Sequence, residues 1–234
     1  MRIIVTIPTW NESKNISLLL ESILNLNVLG LEVIVGDDNS PDGTWKVVQE
    51  LSKTNKKIHL LHRTKNKGRG AAGIDLFKYA YENGADFVIE MDADFSHQPK
   101  HIPELLEQAK ICDVVIGSRF TKGASDIERT PSRQISTILC NVYAQVLLGL
   151  NLTDPNSGFR CYSREALGKI VNDLRAQGPD IVQDVVWQCK KNNLRIKEIP
   201  IEFIDRKHGE TTKTYKDFIN GALTTLKLRI GMKL

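Results

Sequence analysis

Phe87-Val88-Ile89-Glu90-Met91-Asp92-Ala93-Asp94-Phe95-Ser96-His97-Gln98-Pro99 sets an apolar run of strand length directly against a pair of carboxylates. A run of that kind reads as a buried strand whose C-terminal end opens on a crevice, the place where open α/β sheets bind ligands. Working outward, similar runs stand at 3–7, 31–36, 58–61 and 114–117, separated by stretches of helical length and period. Such alternation predicts an α/β fold, a mostly parallel central sheet flanked by helices. Ser13 before the run at 18–20 and Asp42 before 44–51 mark helix starts, and Pro99 stands early in a helix through Ala109. After Gly117 the pattern changes to a long loop, an amphipathic helix from about Pro131, a glycine-rich turn with a strand at 158–162, and further helices. A single domain with a C-terminal lobe is expected.

The chain has 234 residues, 41% hydrophobic and 26% charged, enough for one sizeable core. With 32 basic against 28 acidic residues the net charge is +4, too weak to argue for nucleic acid as a partner. Cys112, Cys140, Cys161 and Cys189 show neither metal-site spacing nor a small secreted framework, so free buried thiols and a reducing cytosol are expected. The N-terminal apolar run is too short for a signal peptide. The longer candidates at 138–150 and 218–230 are interrupted by Asn141 and Gln145 or by Lys227 and Arg229. Neither reaches the ~20 apolar residues of a membrane span. A last helix is expected over 215–234, after a polar, mobile loop at 205–214. Its Phe218, Ala222, Leu226 and Ile230 fall on one stripe, to be packed on the core or docked on a membrane surface or partner helix.

Two carboxylates at one strand end repel unless something neutralises them. For Asp92 and Asp94 a hard divalent cation completed by phosphate oxygens is the economical answer. Pro8-Thr9-Trp10-Asn11-Glu12 and Asp37-Asp38-Asn39-Ser40-Pro41-Asp42 end the first and second strands, so polar groups converge from all of these edges. An aromatic ring with carboxylates there suits a nucleoside. Gly68-Arg69-Gly70-Ala71-Ala72-Gly73 matches the dinucleotide fingerprint literally, which keeps an oxidoreductase in play. The basic residues 63–67 intervene where that fingerprint needs a tight turn, so the glycines either let backbone approach a donor or pack a helix. His97 and His101 lack a third ligand for zinc.

In order, Pro8 to Glu12, Asp37 to Thr44, Lys67 to Ala71, Asp92 to Pro99, Gly117 to Phe120 and Asp154 to Arg160 resemble family 2 glycosyltransferases, nearest the dolichol-phosphate mannose synthases and their bacterial and archaeal polyprenyl-phosphate relatives. The resemblance implies a GT-A domain over 1–214, a nucleotide-sugar half at 1–118 and an acceptor half at 119–214. It implies inverting transfer of a hexose, mannose from GDP-mannose first, to a polyprenyl phosphate with Mg2+ or Mn2+; a related hydroxyl acceptor on a glycan or protein is the alternative. By position, Pro8, Trp10, Glu12 and Asp38 correspond to nucleoside-binding groups, and Asp92, Asp94 and Ser96 to the metal site. Arg119 and Arg133 correspond to phosphate-facing groups, and Gln183-Asp184 and Arg206 with Gly209-Glu210-Thr211 to the family's late elements. The chain is similar to the type without C-terminal membrane helices, expected to sit peripherally on the cytoplasmic face, on the lipid itself or on a small membrane protein.

A monoalkyl phosphate acceptor has its second pKa near ~6, so its oxygen is already anionic at neutral pH and needs no strong base. A hydroxyl acceptor would need one. No spare carboxylate stands out beside Asp92 and Asp94, which favours the phosphate.

Overall fold

The computed structural model describes residues 1–205 and 215–232, without the side chains of 215–218. Arg206, the Gly209-Glu210-Thr211 segment and nearly all of the loop expected at 205–214 therefore lie outside the described residues. The elements run β1 (Ile3–Thr9), α1 (Ile16–Leu24), β2 (Leu31–Asp37), α2 (Thr44–Thr54), β3 (Ile58–His62), α3 (Arg69–Glu82) and β4 (Phe87–Glu90). They continue with α4 (Ile102–Ala109), β5 (Val114–Ser118), β6 (Ser125–Ile127), α5 (Pro131–Leu148), β7 (Arg160–Ser163), α6 (Arg164–Ile170) and α7 (Ile181–Lys191). The order closes with β8 (Ile196–Pro200), β9 (Glu202–Ile204) and α8 (Tyr215–Ile230).

Seven strands form one sheet in the order β3-β2-β1-β4-β7-β5-β8, and β6 pairs with β9 in a separate two-stranded ribbon. All pairings in the large sheet are parallel except those of β7, which runs antiparallel to β4 on one side and to β5 on the other. The pairing of β4 with β7 crosses the expected division at 118/119, so the two halves share one sheet. Alternation along β1 explains the layering: Ile3, Val5 and Ile7 enter one buried cluster with α1 and α4 residues. Ile4 enters the other, with Phe77 of α3, Leu167 of α6 and Val185 of α7. Successive strand side chains point to opposite faces, so the sheet is covered by helices on both.

On α8, Leu226 and Ile230 are 43% and 58% exposed, whereas Thr225 and Leu228 are buried. Of the two placements expected for its stripe, packing on the core does not hold at Leu226 and Ile230. On α5 only Asn141, Ala144 and Leu148 are buried, and Ile135, Ile138, Leu139, Val142 and Val146 are exposed. Tyr143 of α5 donates its hydroxyl to the Ala222 carbonyl of α8 at 3.0 Å, setting the two apolar faces side by side. All four cysteines are free, with Cys161 and Cys189 buried and Cys112 and Cys140 partly so.

Candidate active site

Three consecutive residues at the start of α3 join the ends of three strands. Lys67 places its ammonium 5.3 Å above the Trp10 ring, which follows β1. The Gly68 N–H donates to Asp38 Oδ2, after β2, at 2.7 Å. Arg69 Nη2 donates to Asp92 Oδ1, after β4, at 3.2 Å. The residues predicted from separate strand ends thus form one crevice.

Its Trp10 side is a braced pair of loops. The Asn11 N–H donates to Ser40 Oγ at 3.0 Å and the Glu12 N–H to Thr44 Oγ1 at 2.9 Å. Glu12 also accepts from Asn15 Nδ2 at 2.8 Å. Trp10 is 41% exposed, which leaves a ring surface for a base, and Pro8 is half-buried on β1. The acids after β2 divide their work. Asp37 is fully buried and accepts from Thr9 Oγ1 and from both Ser40 donors, so it shapes the turn. Asp38 pairs with buried Arg63, which also donates to Asp75. Asp42 accepts from the Thr44 N–H at 3.0 Å and so starts α2 from one position before its Gly43 cap.

The acidic side centres on Asp92 and Asp94, both half-buried. The Asp92 N–H donates to His97 Nδ1 at 3.0 Å. His97 is buried, stacked on Phe159 with ring centroids 5.0 Å apart. Burial lowers its pKa more than Asp92 and Asp94 raise it, so the ring is neutral and Nδ1 is free to accept. Phe95 takes a left-handed backbone, φ 60°, which returns the Ser96 N–H and hydroxyl to Asp94 Oδ1 at 3.1 and 2.6 Å. Ser96, expected as a third metal ligand, is itself buried and orients Asp94 instead. Among the described residues no group of three or more His, Cys, Asp or Glu side chains could hold an ion. A hard divalent cation would therefore take oxygen from Asp92 and Asp94 and the rest of its shell from phosphate and water, a donor set that suits Mg2+ or Mn2+.

Other expected residues sit differently. Arg119 is bound fork to fork with fully buried Asp154, Nε to Oδ2 and Nη2 to Oδ1, both at 2.7 Å. That guanidinium is held by a carboxylate through Nε and Nη2. Arg133 of α5 pairs with Asp205 and is 40% exposed at its side chain. Gln183 donates to Asn156 Oδ1 at 2.8 Å. Asp184, expected at the acceptor, is fully buried and accepts the N–H groups of Arg175 and Ala176 at 2.7 and 3.1 Å. It braces a loop rather than meeting a substrate.

That loop decides the glycine motif. The Gln177 carbonyl accepts the Gly70 and Ala71 N–H groups at 2.9 and 3.1 Å, satisfying donors at the N-terminus of α3 that a pyrophosphate would otherwise use. A Cβ on Gly70 would lie 2.3 Å from the Ala176 carbonyl oxygen, and one on Gly68 2.6 Å from that of Gln177. Gly68 and Gly70 exist for packing backbone on backbone, and the dinucleotide reading fails.

The sequence profile described as Glycosyl transferase family 2 matches residues 4–171. The chain belongs to this family. As a family 2 glycosyltransferase it is 37% identical over 212 residues to the undecaprenyl-phosphate mannosyltransferase of Micrococcus luteus, covering 90% of this chain and 87% of that protein. It is 33% identical to the polyprenol monophosphomannose synthase of Mycolicibacterium smegmatis, covering 89% and 79%. A glucosyl-3-phosphoglycerate synthase from Mycobacterium tuberculosis, solved with Mn2+, UDP and glucosyl-3-phosphoglycerate, superposes with TM-score 0.69 at 20% identity, over 100% of this chain and 81% of that one. That likeness establishes the shared GT-A fold.

Residues missed from sequence are the partners: Arg69, His97, Asp154 and buried Glu90, which accepts from Arg69 Nη2 at 2.9 Å and from the Tyr162 hydroxyl at 2.9 Å. Burial opposes the Arg69 charge, and Glu90 and Asp92 more than reverse this, raising its pKa.

Proposed function

We propose that this enzyme transfers mannose, with inversion, from GDP-mannose to a polyprenyl phosphate, using Mg2+ or Mn2+ held by Asp92 and Asp94. The reading rests on one observation: two relatives named for mannosyl transfer to polyprenyl carriers align over about nine-tenths of the chain. Trp10 offers its face to the base, with Pro8, Glu12 and Asp38 framing the nucleoside. When bound, the cation supplies charge to the departing diphosphate.

The chain's own residues then do the work of positioning. The acceptor phosphate arrives as an anion, so no side chain has to remove a proton from it. Arg133, with Arg206, would hold that phosphate by charge-assisted hydrogen bonds in line with the anomeric carbon. Gln183 is the candidate for a sugar hydroxyl. A lipid acceptor also calls for a lipid surface, and the exposed apolar faces of α5 and α8 lie together with Lys227 and Arg229 in the last turn of α8. Apolar residues edged by cations suit an anionic membrane, which supports a peripheral position on the cytoplasmic leaflet. No helix among the described residues is long and apolar enough to cross a membrane.

The test incubates purified protein and Mn2+ with radiolabelled GDP-mannose or UDP-glucose, with and without polyprenyl phosphate, and counts label entering organic solvent. Acceptor-dependent mannose in the organic phase is expected. Label from UDP-glucose alone would overturn the donor, and label only on a hydroxyl acceptor would overturn the lipid phosphate.

A further inference from the structure

Arg69 threads a slot between two glycines. A Cβ on Gly73 would lie 3.3 Å from its Nη1, and one on Gly158 would lie 3.3 Å from its Nη2 and 3.8 Å from Asp92 Oδ2. At the end of the slot Nη2 bridges Glu90 Oε1 at 2.9 Å and Asp92 Oδ1 at 3.2 Å. Glu90 is fixed from behind, 2% exposed, with its other oxygen bonded to the buried Tyr162 hydroxyl. The Asp92 backbone is fixed separately through His97. Without the guanidinium, two carboxylates separated by one residue would repel, and the more exposed Asp92 side chain would swing towards water.

We propose that Arg69 is a positioning residue for this transfer: anchored on Glu90 and confined by Gly73 and Gly158, it holds the Asp92 carboxylate in the orientation that takes a divalent cation with the donor diphosphate. The inference rests on the metal reading above and adds a residue to it. Partners that orient a ligating side chain typically change metal affinity by about 10–100-fold when removed. Charge alone acts in the opposite direction. Deleting the cation alone would tighten a divalent ion through space, and deleting Arg69 together with Glu90 leaves the net charge beside Asp92 unchanged, so weaker coupling in the pair variant reports lost position.

The experiment measures GDP binding by calorimetry with and without Mn2+, and the ratio of the two affinities reports the metal. Arg69→Gln with Glu90→Gln removes one charge of each sign, so neither of the two is left unpaired, and the fully buried Arg160 loses the attraction of Glu90 while keeping its bonds to the Pro155 and Val182 carbonyls. We expect the Mn2+ enhancement to fall about 10-fold in this double variant while metal-free GDP binding stays unchanged. Gly73→Ala presses only on Arg69 and places a better helix former in α3, so its Tm should hold or rise while the enhancement drops by a smaller factor. If the double variant does not fold, Gly73→Ala decides. A full enhancement in a folded double variant, or in Gly73→Ala when only that protein folds, overturns the role of Arg69 and leaves the metal reading standing. Absence of any Mn2+ enhancement in the unaltered protein overturns both.

Discussion

Arg119→Ala should damage the fold before it informs on catalysis. Asp154 would remain fully buried with its bidentate partner gone, holding only the Arg119 N–H and Asn141 Nδ2, each at 3.1 Å. Removing one member of a buried pair costs about 3–5 kcal/mol, and the surviving bonds favour the lower end, about 3 kcal/mol. For a chain of this size that corresponds to a fall in Tm of about 6–12 °C. Urea unfolding followed by circular dichroism measures the loss directly. Arg119→Met with Asp154→Leu should recover most of it, because an apolar pair of similar volume leaves no uncompensated charge. The pair also fixes a pH dependence. Burial raises the Asp154 pKa, but Arg119 and the hydrogen bonds reverse this, so the folded value lies below the model-peptide value of 3.8. The carboxylate therefore contributes its stability above that pH and loses it as pH falls through the folded value, and the acid limb of the stability profile should flatten in the double variant. Single variants within about 0.5 kcal/mol of the unaltered protein, with no coupling in the cycle, would refute the pairing and return Arg119 to a phosphate-facing role.

Gly70→Ala should cost about 3 kcal/mol, because the new Cβ meets backbone oxygens that cannot yield. Gly84→Ala, at φ 74° with nothing within 4 Å, should cost only about 1 kcal/mol of backbone strain in the same unfolding assay. Asp94→Asn should reduce transfer by about 100-fold or more while leaving metal-free nucleotide binding intact, as read by radiolabel transfer and calorimetry. Leu139→Glu with Val146→Glu should abolish cosedimentation with anionic vesicles without lowering Tm, since both side chains are exposed. Retained sedimentation would remove the apolar faces from the docking argument.

The first five strands of the sheet were legible because each is an apolar run, whereas β8 carries Lys197 and Glu198 between its isoleucines and shows no run at all. The buried side of α8 was not legible for a related reason. Thr225 is buried because its hydroxyl donates to the Gly221 carbonyl at 2.8 Å, and a threonine satisfied by its own helix does not register in a count of apolar positions. In the crevice, Asp92 and Asp94 were visible as acids at a strand end. Arg69, 21 and 23 residues from its partners, and Asp154, 35 residues from Arg119, depend on strand register and loop path that no local pattern encodes. The glycine motif was legible as close packing, but not as packing against the loop at 176–178.

The reversed strand β7 has a consequence for how this protein is made. It occupies the centre of the sheet between β4 and β5, yet it emerges after both, with α5 intervening. A nascent chain ending before residue 160 has β4 and β5 with no strand to join them, and the edge of each that pairs with β7 is open. Pairings of such long sequence separation form late and slowly. β8 follows later still, so synthesis passes through a window in which one edge of β4 and both edges of β5 stand open, and chaperone engagement should concentrate on chains of about that length.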